Sequence, residues 1–390
     1  MKILTLIAFL FFVIQMSGCG STGKAPPDKL SANIYKDELF PSKHTVETEQ
    51  EIFYVSKPMR SYIRQRLSDK LNATSQSKRL LQDLFDPNQL NIRYAHNANL
   101  TAAEVFEQGV ANCLSLTLLS YVLVEQTDMD AVFVDVSLQE NWTVENGISL
   151  ANGHVNLKVF RSVNNNEFNF INRVVTIDFL PMLNVPVLSQ RALSKQEIMA
   201  LFYNNKGANA LINGERDIAY AYFKQATMHG PALAETWGNL ASLYRQSGEL
   251  ELAELLFKHG IELDPSNLTI KENLARLYEL TDRSGAASTL NNEVKRKRKN
   301  NPYFYAMQAA LDYNDGNYRK SVRKYKKAIK MHDKEHQFLF GLAKSYLKLN
   351  EYDRANYFLK KAHNMANSEQ DKELYRSKMS ALQRLTAKIM

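Results

Sequence analysis

From residue 200 onward, small side chains return with a period of 34 residues. Registers opened at 200, 234, 268, 302 and 336 put Gly207, Ala241, Ala275, Ala309 and Ala343 at the eighth position. The twentieth position holds Ala219, Ala253, Ala287, Ser321 and Ala355. A fixed period of this length means that one supersecondary unit is copied and stacked, each copy covering the apolar face of the one before. Two small slots per unit mark where the helices of a hairpin approach too closely for a large side chain. The large slots agree less well: position 24 reads Phe223, Phe257, Asn291, Tyr325 and Leu359, and position 11 reads Ala210, Tyr244, Tyr278, Asp312 and Tyr346. Pro231 and Pro265 close the first two units, where a helix must stop.

This pattern resembles the tetratricopeptide repeat over roughly residues 200–369. The second copy matches best, through Trp237, Leu240, Ala241, Tyr244, Ala253, Phe257 and Pro265. The third departs after Ala287, where a polar and basic run leads to Lys295-Arg296-Lys297-Arg298-Lys299. Residues 370–390 read as a final helix that caps the last repeat. The resemblance implies a right-handed stack of helical hairpins whose first helices line a groove for a protein or peptide partner. The positions matching that groove are Asn204, Arg245, Arg276, Tyr313 and Lys344.

Upstream lies a segment of different character. Thr101 with Glu104 three residues on forms a capping box, and Gly109 ends the short helix it opens. Cys113 then begins Leu114-Ser115-Leu116-Thr117-Leu118-Leu119-Ser120-Tyr121-Val122-Leu123-Val124, a run apolar enough for a buried helix. A thiol in the first turn of a helix faces unpaired N–H groups that favour the thiolate and can hold an oxyanion. Three strands are predicted next, Ala131 to Val136, His154 to Phe160 and Val174 to Phe179. Adjacent antiparallel pairing of the last two would set His154 beside Asp178. Asp178 stands among Ile177, Phe179 and Leu180, where a carboxylate needs a partner. A histidine N–H supplies one and fixes the ring's tautomer.

The order cysteine, helix, strand, histidine on a strand, aspartate on the next strand resembles the transglutaminase-like superfamily, a papain-related fold, over about residues 85–187. The resemblance implies that Cys113, His154 and Asp178 are a catalytic triad for thiol acyl transfer on a protein or peptide amide, by hydrolysis or transamidation. It assigns Tyr94 as a donor to the oxyanion. The chain departs from the pattern of many members in lacking an immediate Gly-x-Cys; Ala111-Asn112 precedes Cys113. The competing expectation is a non-catalytic scaffold or assembly factor that binds protein partners through the repeats.

The N-terminus supplies a compartment. Ile3 to Ile14 is an apolar run too short to span a bilayer, and Met16-Ser17-Gly18-Cys19 resembles a bacterial lipobox. That resemblance implies lipid on Cys19 and, with Gly20 rather than aspartate following, an outer-membrane lipoprotein facing the periplasm. Cys113 is then the sole free thiol of the mature chain. The expected organisation is a signal peptide at 1–18 and a tether at 19–50 rich in proline and polar residues. An α+β transglutaminase-like domain with N-terminal helices follows at 51–190, then an all-α tetratricopeptide-repeat solenoid at 200–369 and a cap at 370–390. The 390 residues are 45% hydrophobic and 23% charged, which suits a globular module plus an array. The formal charge of +8 favours acidic partners or anionic headgroups. No nucleic-acid motif is present, and no cofactor is expected. His332 and His336 have helical spacing, but no Cys or Glu cluster completes a metal site.

Overall fold

Short capped helices open the described part of the chain. The computed structural model describes residues 34–67, 73–145, 148–160, 174–179, 187–366 and 368–387. The expected signal peptide, Cys19 and most of the expected tether lie outside these residues. Helices α1 (Glu49–Ile52), α2 (Lys57–Arg66) and α3 (Ala73–Phe85) come first. Next, the two-residue strands β1 (Arg93–Tyr94) and β2 (Val110–Ala111) pair in parallel around α4 (Ala102–Gln108). Thr101 and Glu104 form the reciprocal cap of α4, and Gly109 leaves it at φ 64°, a left-handed conformation that glycine adopts without strain.

Helix α5 (Cys113–Val124) is buried at every position from Leu114 onward, as a helix apolar on all sides must be. The strands β3 (Asp130–Leu138), β4 (Trp142–Glu145), β5 (Ile148–Ala151), β6 (Val155–Phe160), β7 (Val175–Ile177) and β8 (Val187–Leu193) follow. Four of them form an antiparallel sheet in the order β7-β6-β3-β8, while β4 and β5 make a separate hairpin.

Paired helices fill the rest of the chain: α6 (Lys195–Ile212) with α7 (Arg216–His229), α8 (Ala234–Gln246) with α9 (Leu250–Leu263), and α10 (Leu268–Leu280) with α11 (Ser284–Arg298). Then come α12 (Pro302–Asn314) with α13 (Tyr318–Met331), α14 (His336–Lys348) with α15 (Tyr352–Met365), and α16 (Glu369–Ala387). All ten small slots of the 34-residue register are buried. The reason is visible at Gly207, where a Cβ would meet the Phe223 ring at 2.6 Å. First helices touch first helices of the next repeat, as α6 touches α8 and α12 touches α14, so they form the inner layer and α7, α9, α11, α13 and α15 the outer one. The departure in the third repeat costs no helix. Asn291, in a slot filled elsewhere by large side chains, donates to Glu279 at 2.8 Å.

Two boundaries differ from those expected. Ile198, Met199 and Phe202 of α6, with Tyr222 and Ala226 of α7, belong to the same apolar core as Leu116, Leu119 and Val155. The first repeat is therefore built into the α+β part, and Lys36–Met390 is one compact unit. Residues 36–48, expected as the end of a tether, lie along the first repeats. Phe40 stacks on Tyr220 at 4.4 Å, Asp37 meets Lys224 at 2.7 Å, and Glu47 meets Lys206 at 2.9 Å.

Candidate functional site

Cys113 is the first residue of α5 and is half-buried. Its turn is held from both sides. The Asn112 side chain caps the helix by accepting from the Ser115 N–H at 2.8 Å. The Asn112 N–H donates to the Ala98 carbonyl at 3.0 Å, and the Ser115 hydroxyl accepts from Leu100 N–H at 2.8 Å. The loop carrying Ala98 is pinned in turn to α6, through Asn99 Nδ2 to the Phe202 carbonyl at 2.8 Å and Asn209 Nδ2 to the Asn97 carbonyl at 3.1 Å. Tyr94 pairs in register with Ala111, two residues before the thiol. Burial and then the nearby Cys113 raise its phenol above the ordinary value.

His154 enters β6 beside this helix end, its side chain only 3% exposed. Thr117 joins the two elements, its hydroxyl 2.8 Å from the Cys113 carbonyl and 3.1 Å from that of Val155. Strands β6 and β7 pair Leu157 with Ile177, so the register carries Asp178 alongside His154 and Asn156. His154 Nε2 lies 3.0 Å from Asp178 Oδ1, and Asn156 Nδ2 donates to Asp178 Oδ2 at 3.1 Å. Burial alone would depress the imidazole; Asp178 and then Cys113 more than offset it and hold His154 at about 9. Its other ring nitrogen, Nδ1, is buried and makes no hydrogen bond among the described residues. Asp178 is 42% exposed, less sheltered than its apolar neighbours in sequence imply.

Sequence reasoning missed Asn156 and Thr117, which fix the partners in place; strand alternation alone puts Asn156 on the face of His154. It also missed Asp135 on β3, whose carboxyl is raised by burial, while Arg191 at 3.7 Å and, less, His154 pull it down. Glu235 of α8 is pushed up by burial and then by Asp135.

A second bridge runs from the segment just before His154. Arg298, its side chain 1% exposed at the end of α11, meets Glu140 at 2.7 Å and Glu272 of α10 at 2.7 Å. Its guanidinium lies 4.7 Å from the Trp142 ring centre and 5.7 Å from that of Phe304. Asn301 Nδ2 donates to the Glu140 carbonyl at 2.7 Å. The β4–β5 hairpin is thus clamped to the third and fourth repeats. It is closed at its base by Asn141 and Asn152, 2.8 Å apart, immediately before Gly153 and His154.

The five residues expected to line the repeat groove have different surroundings. Asn204 is buried and accepts from Asn239 Nδ2 at 2.9 Å, a bond between repeats. Arg245 is lowered by burial and then by Arg276, and Arg276 meets Glu272 at 3.1 Å. Tyr313 and Lys344 do come together: the Lys344 ammonium lies 5.3 Å from the Tyr313 ring centre and 5.2 Å from that of Phe340. Lys344 is exposed, yet burial followed by Lys378 pushes its amine down. His332 stacks edge-on to Tyr303, and His336 Nδ1 is 2.8 Å from the Tyr375 hydroxyl, so each has a structural neighbour.

Tetratricopeptide-repeat family models match residues 234–267 and 307–367. Superkiller protein 3 of Schizosaccharomyces pombe (strain 972 / ATCC 24843) is 25% identical over 158 residues, 38% of this chain and 11% of that protein. This chain therefore spans a small part of that relative's length. Among solved structures, a thermophilic TPR protein of Thermus thermophilus is 19% identical over 47% of this chain and 98% of its own, with a TM-score of 0.30. PilF of Pseudomonas aeruginosa is 13% identical over 50% and 94%, with a TM-score of 0.28. MamA of Desulfovibrio magneticus RS-1 is 16% identical over 44% and 97%, with a TM-score of 0.26.

Proposed function

Taking residues 234–267 and 307–367 as tetratricopeptide repeats, we propose that this chain is a docking protein whose inner repeat face holds a peptide segment of a protein partner. The observation that carries this reading is the exposed Lys344 ammonium beside the rings of Tyr313 and Phe340, on successive first helices. A cation between aromatic walls suits an acidic side chain or a terminal carboxylate flanked by apolar groups. Capture from bacterial envelope extracts by the full chain and by its Tyr313→Ala/Lys344→Ala variant tests it. A partner kept by the first and lost by the second, at unchanged helical content, supports this groove. Equal recovery sets the groove aside.

A second reading, thiol acyl transfer, is favoured by the approach of Cys113, His154 and Asp178. The Cys113 thiolate would attack an amide carbonyl, and the His154 imidazolium would give its proton to the leaving amine. Asp178 would orient the ring. The thioester would then pass its acyl group to water or to a second amine. Because Asn112 already occupies the Ser115 N–H, the oxyanion would draw on N–H groups nearer Cys113 and on the Tyr94 hydroxyl. Alkylation by iodoacetamide checks the premise. Cys113 should react faster than a free thiol at neutral pH, and His154→Ala should slow it; a rate equal to that of a free thiol and indifferent to His154 rejects it.

The compartment belongs to the same proposal. The Met16 to Cys19 pattern supports acylation at Cys19 and residence at the bacterial outer membrane, facing the periplasm. Labelling with a palmitate analogue should mark the wild-type chain and leave Cys19→Ser unmarked.

A further inference from the structure

The outer layer of the array changes character along its length. Helix α9 presents Glu251, Glu254 and Glu262 with Lys258, an ordinary mixed surface. Helix α13 carries seven basic residues and no acidic one. Lys324 is paired with Asp312 at 2.9 Å. Arg319, Lys320, Arg323, Lys326, Lys327 and Lys330 are exposed. The opposite side of the helix, Ser321, Val322, Tyr325 and Ala328, is buried against the array.

These six side chains form one stripe at helical spacing. Arg323 lies three or four positions from Arg319, Lys320, Lys326 and Lys327, and Lys330 three or four from Lys326 and Lys327. Like charges at those spacings work against a helix. A sequence indifferent to this face would break the stripe with a glutamate; this one holds it through three turns.

Two lysines of the stripe reach tyrosines on the first helices to either side, α12 and α14. Lys327 lies 3.9 Å from the Tyr305 ring centre, and the Tyr305 hydroxyl donates at 3.0 Å to the Lys299 carbonyl, where the basic run of α11 ends. On the other side, Lys326 and Arg354 of α15 approach the Tyr346 ring at 5.8 and 5.5 Å. The exposed cations of α13 thus form a stripe on the side of that helix turned away from its buried face.

We infer that this outer face, centred on α13, is a contact surface for an anionic lipid bilayer. A bilayer asks for a density of long basic side chains over an extended area rather than a register of matched donors and acceptors. Each cation close to an anionic leaflet adds a roughly equal increment, and long stems let the charge reach the headgroups. Met331, 39% exposed, ends the stripe on α13 with a side chain suited to the headgroup boundary. A specific acidic protein would need shape and mixed polarity that this helix does not offer. The inference stands apart from the proposals for the groove and the thiol.

Cosedimentation tests it, using the full chain carrying Cys19→Ser so that no acyl anchor forms. The chain should partition onto vesicles containing phosphatidylglycerol far more than onto pure phosphatidylcholine vesicles, and added salt should abolish the difference. The triple variant Arg319→Glu/Arg323→Glu/Lys330→Glu should lose on the order of a hundredfold in partition onto the anionic vesicles. The matching glutamine triple, read if the glutamate triple misfolds, should lose less in the same direction. Equal partition of the parent chain onto both vesicles overturns the inference, as does a folded charge variant that partitions like the parent. Binding to soluble polyglutamate with no preference for the anionic vesicles overturns it in favour of an acidic protein partner.

Discussion

The α+β part and the repeat array bring residues together in opposite ways. His154 and Asp178 sit far apart in sequence and meet because a strand entry and a strand end share one register, with the helix start at Cys113 tied to the same strand through Thr117. In the array, Tyr313 and Lys344 meet because each occupies its place in a copied hairpin, and the copy before or after would have offered a similar place. A sheet's register specifies a point, whereas repetition specifies a surface whose local chemistry can drift. That drift is seen in the outer helices, acidic and mixed in α9 and wholly basic in α13.

The contrast would break most sharply at Arg298, where the two systems are joined. Removing a buried cation leaves Glu140 and Glu272 without their shared partner. Arg298→Met should cost about 3–5 kcal/mol. If the clamp is what makes the hairpin and the array unfold together, urea denaturation followed by near-ultraviolet circular dichroism should split into two transitions. A single transition at the parent midpoint would mean that the shared core around α6 is enough. Gly207→Val asks the complementary question at that core, since its side chain would overlap the Phe223 ring. Overpacking of this kind should cost about 1–3 kcal/mol, and here both parts should lose stability together.

Much of this arrangement was readable in the chain. The small slots fixed the helical pairs, because a residue such as Ala241 or Ala275 is demanded by local geometry repeated at a constant period. Capping signals at Thr101 and Gly109 located α4, and alternation located β6. The clamp was not readable. Arg298 falls in a run of basic residues that looks like solvated charge, and nothing in the sequence of α11 announces that one of them is buried against a hairpin more than a hundred residues upstream. The packed course of residues 36–48 was hidden likewise, since an irregular segment carries no period and its partners Tyr220 and Lys224 lie on another element. At the site, the roles of Asn156 and Thr117 depend on which strand lies beside which.

A smaller effect bears on how rigidly the point is specified. Asn112 caps α5 and is buried. Asn112→Ala should cost about 1 kcal/mol in urea denaturation, and Asn112→Ser should restore the part owed to the cap, whereas Asn112→Asp should not, because the amide also donates to the His96 carbonyl and to Asn99 Oδ1. If Cys113 depends on this turn, its alkylation rate should change with the alanine variant and recover with serine. No repeat-face substitution should reproduce that pairing of effects.

The finest test of the contrast is the sign of the pH dependence in each part. His154 is held at about 9 in the folded chain, against an ordinary value near 6.5. The folded state therefore binds the extra proton between those values. Its contribution to stability is fully present below about 6.5 and is lost as pH rises through about 9. Lys344 is pushed the other way, below its ordinary 10.5, by burial and then by Lys378. Around Lys344 the unfolded chain binds the extra proton, so stability rises as pH climbs through its folded value toward 10.5. Denaturation midpoints taken across the alkaline range should separate the two. Asp178→Asn should flatten the falling component by removing the carboxylate that holds up His154, and Lys344→Met should remove the rising one. Parallel curves for Asp178→Asn and the parent would show that Asp178 does not govern His154, and the point-like arrangement would then lose its central contact while the repeat surface kept its own.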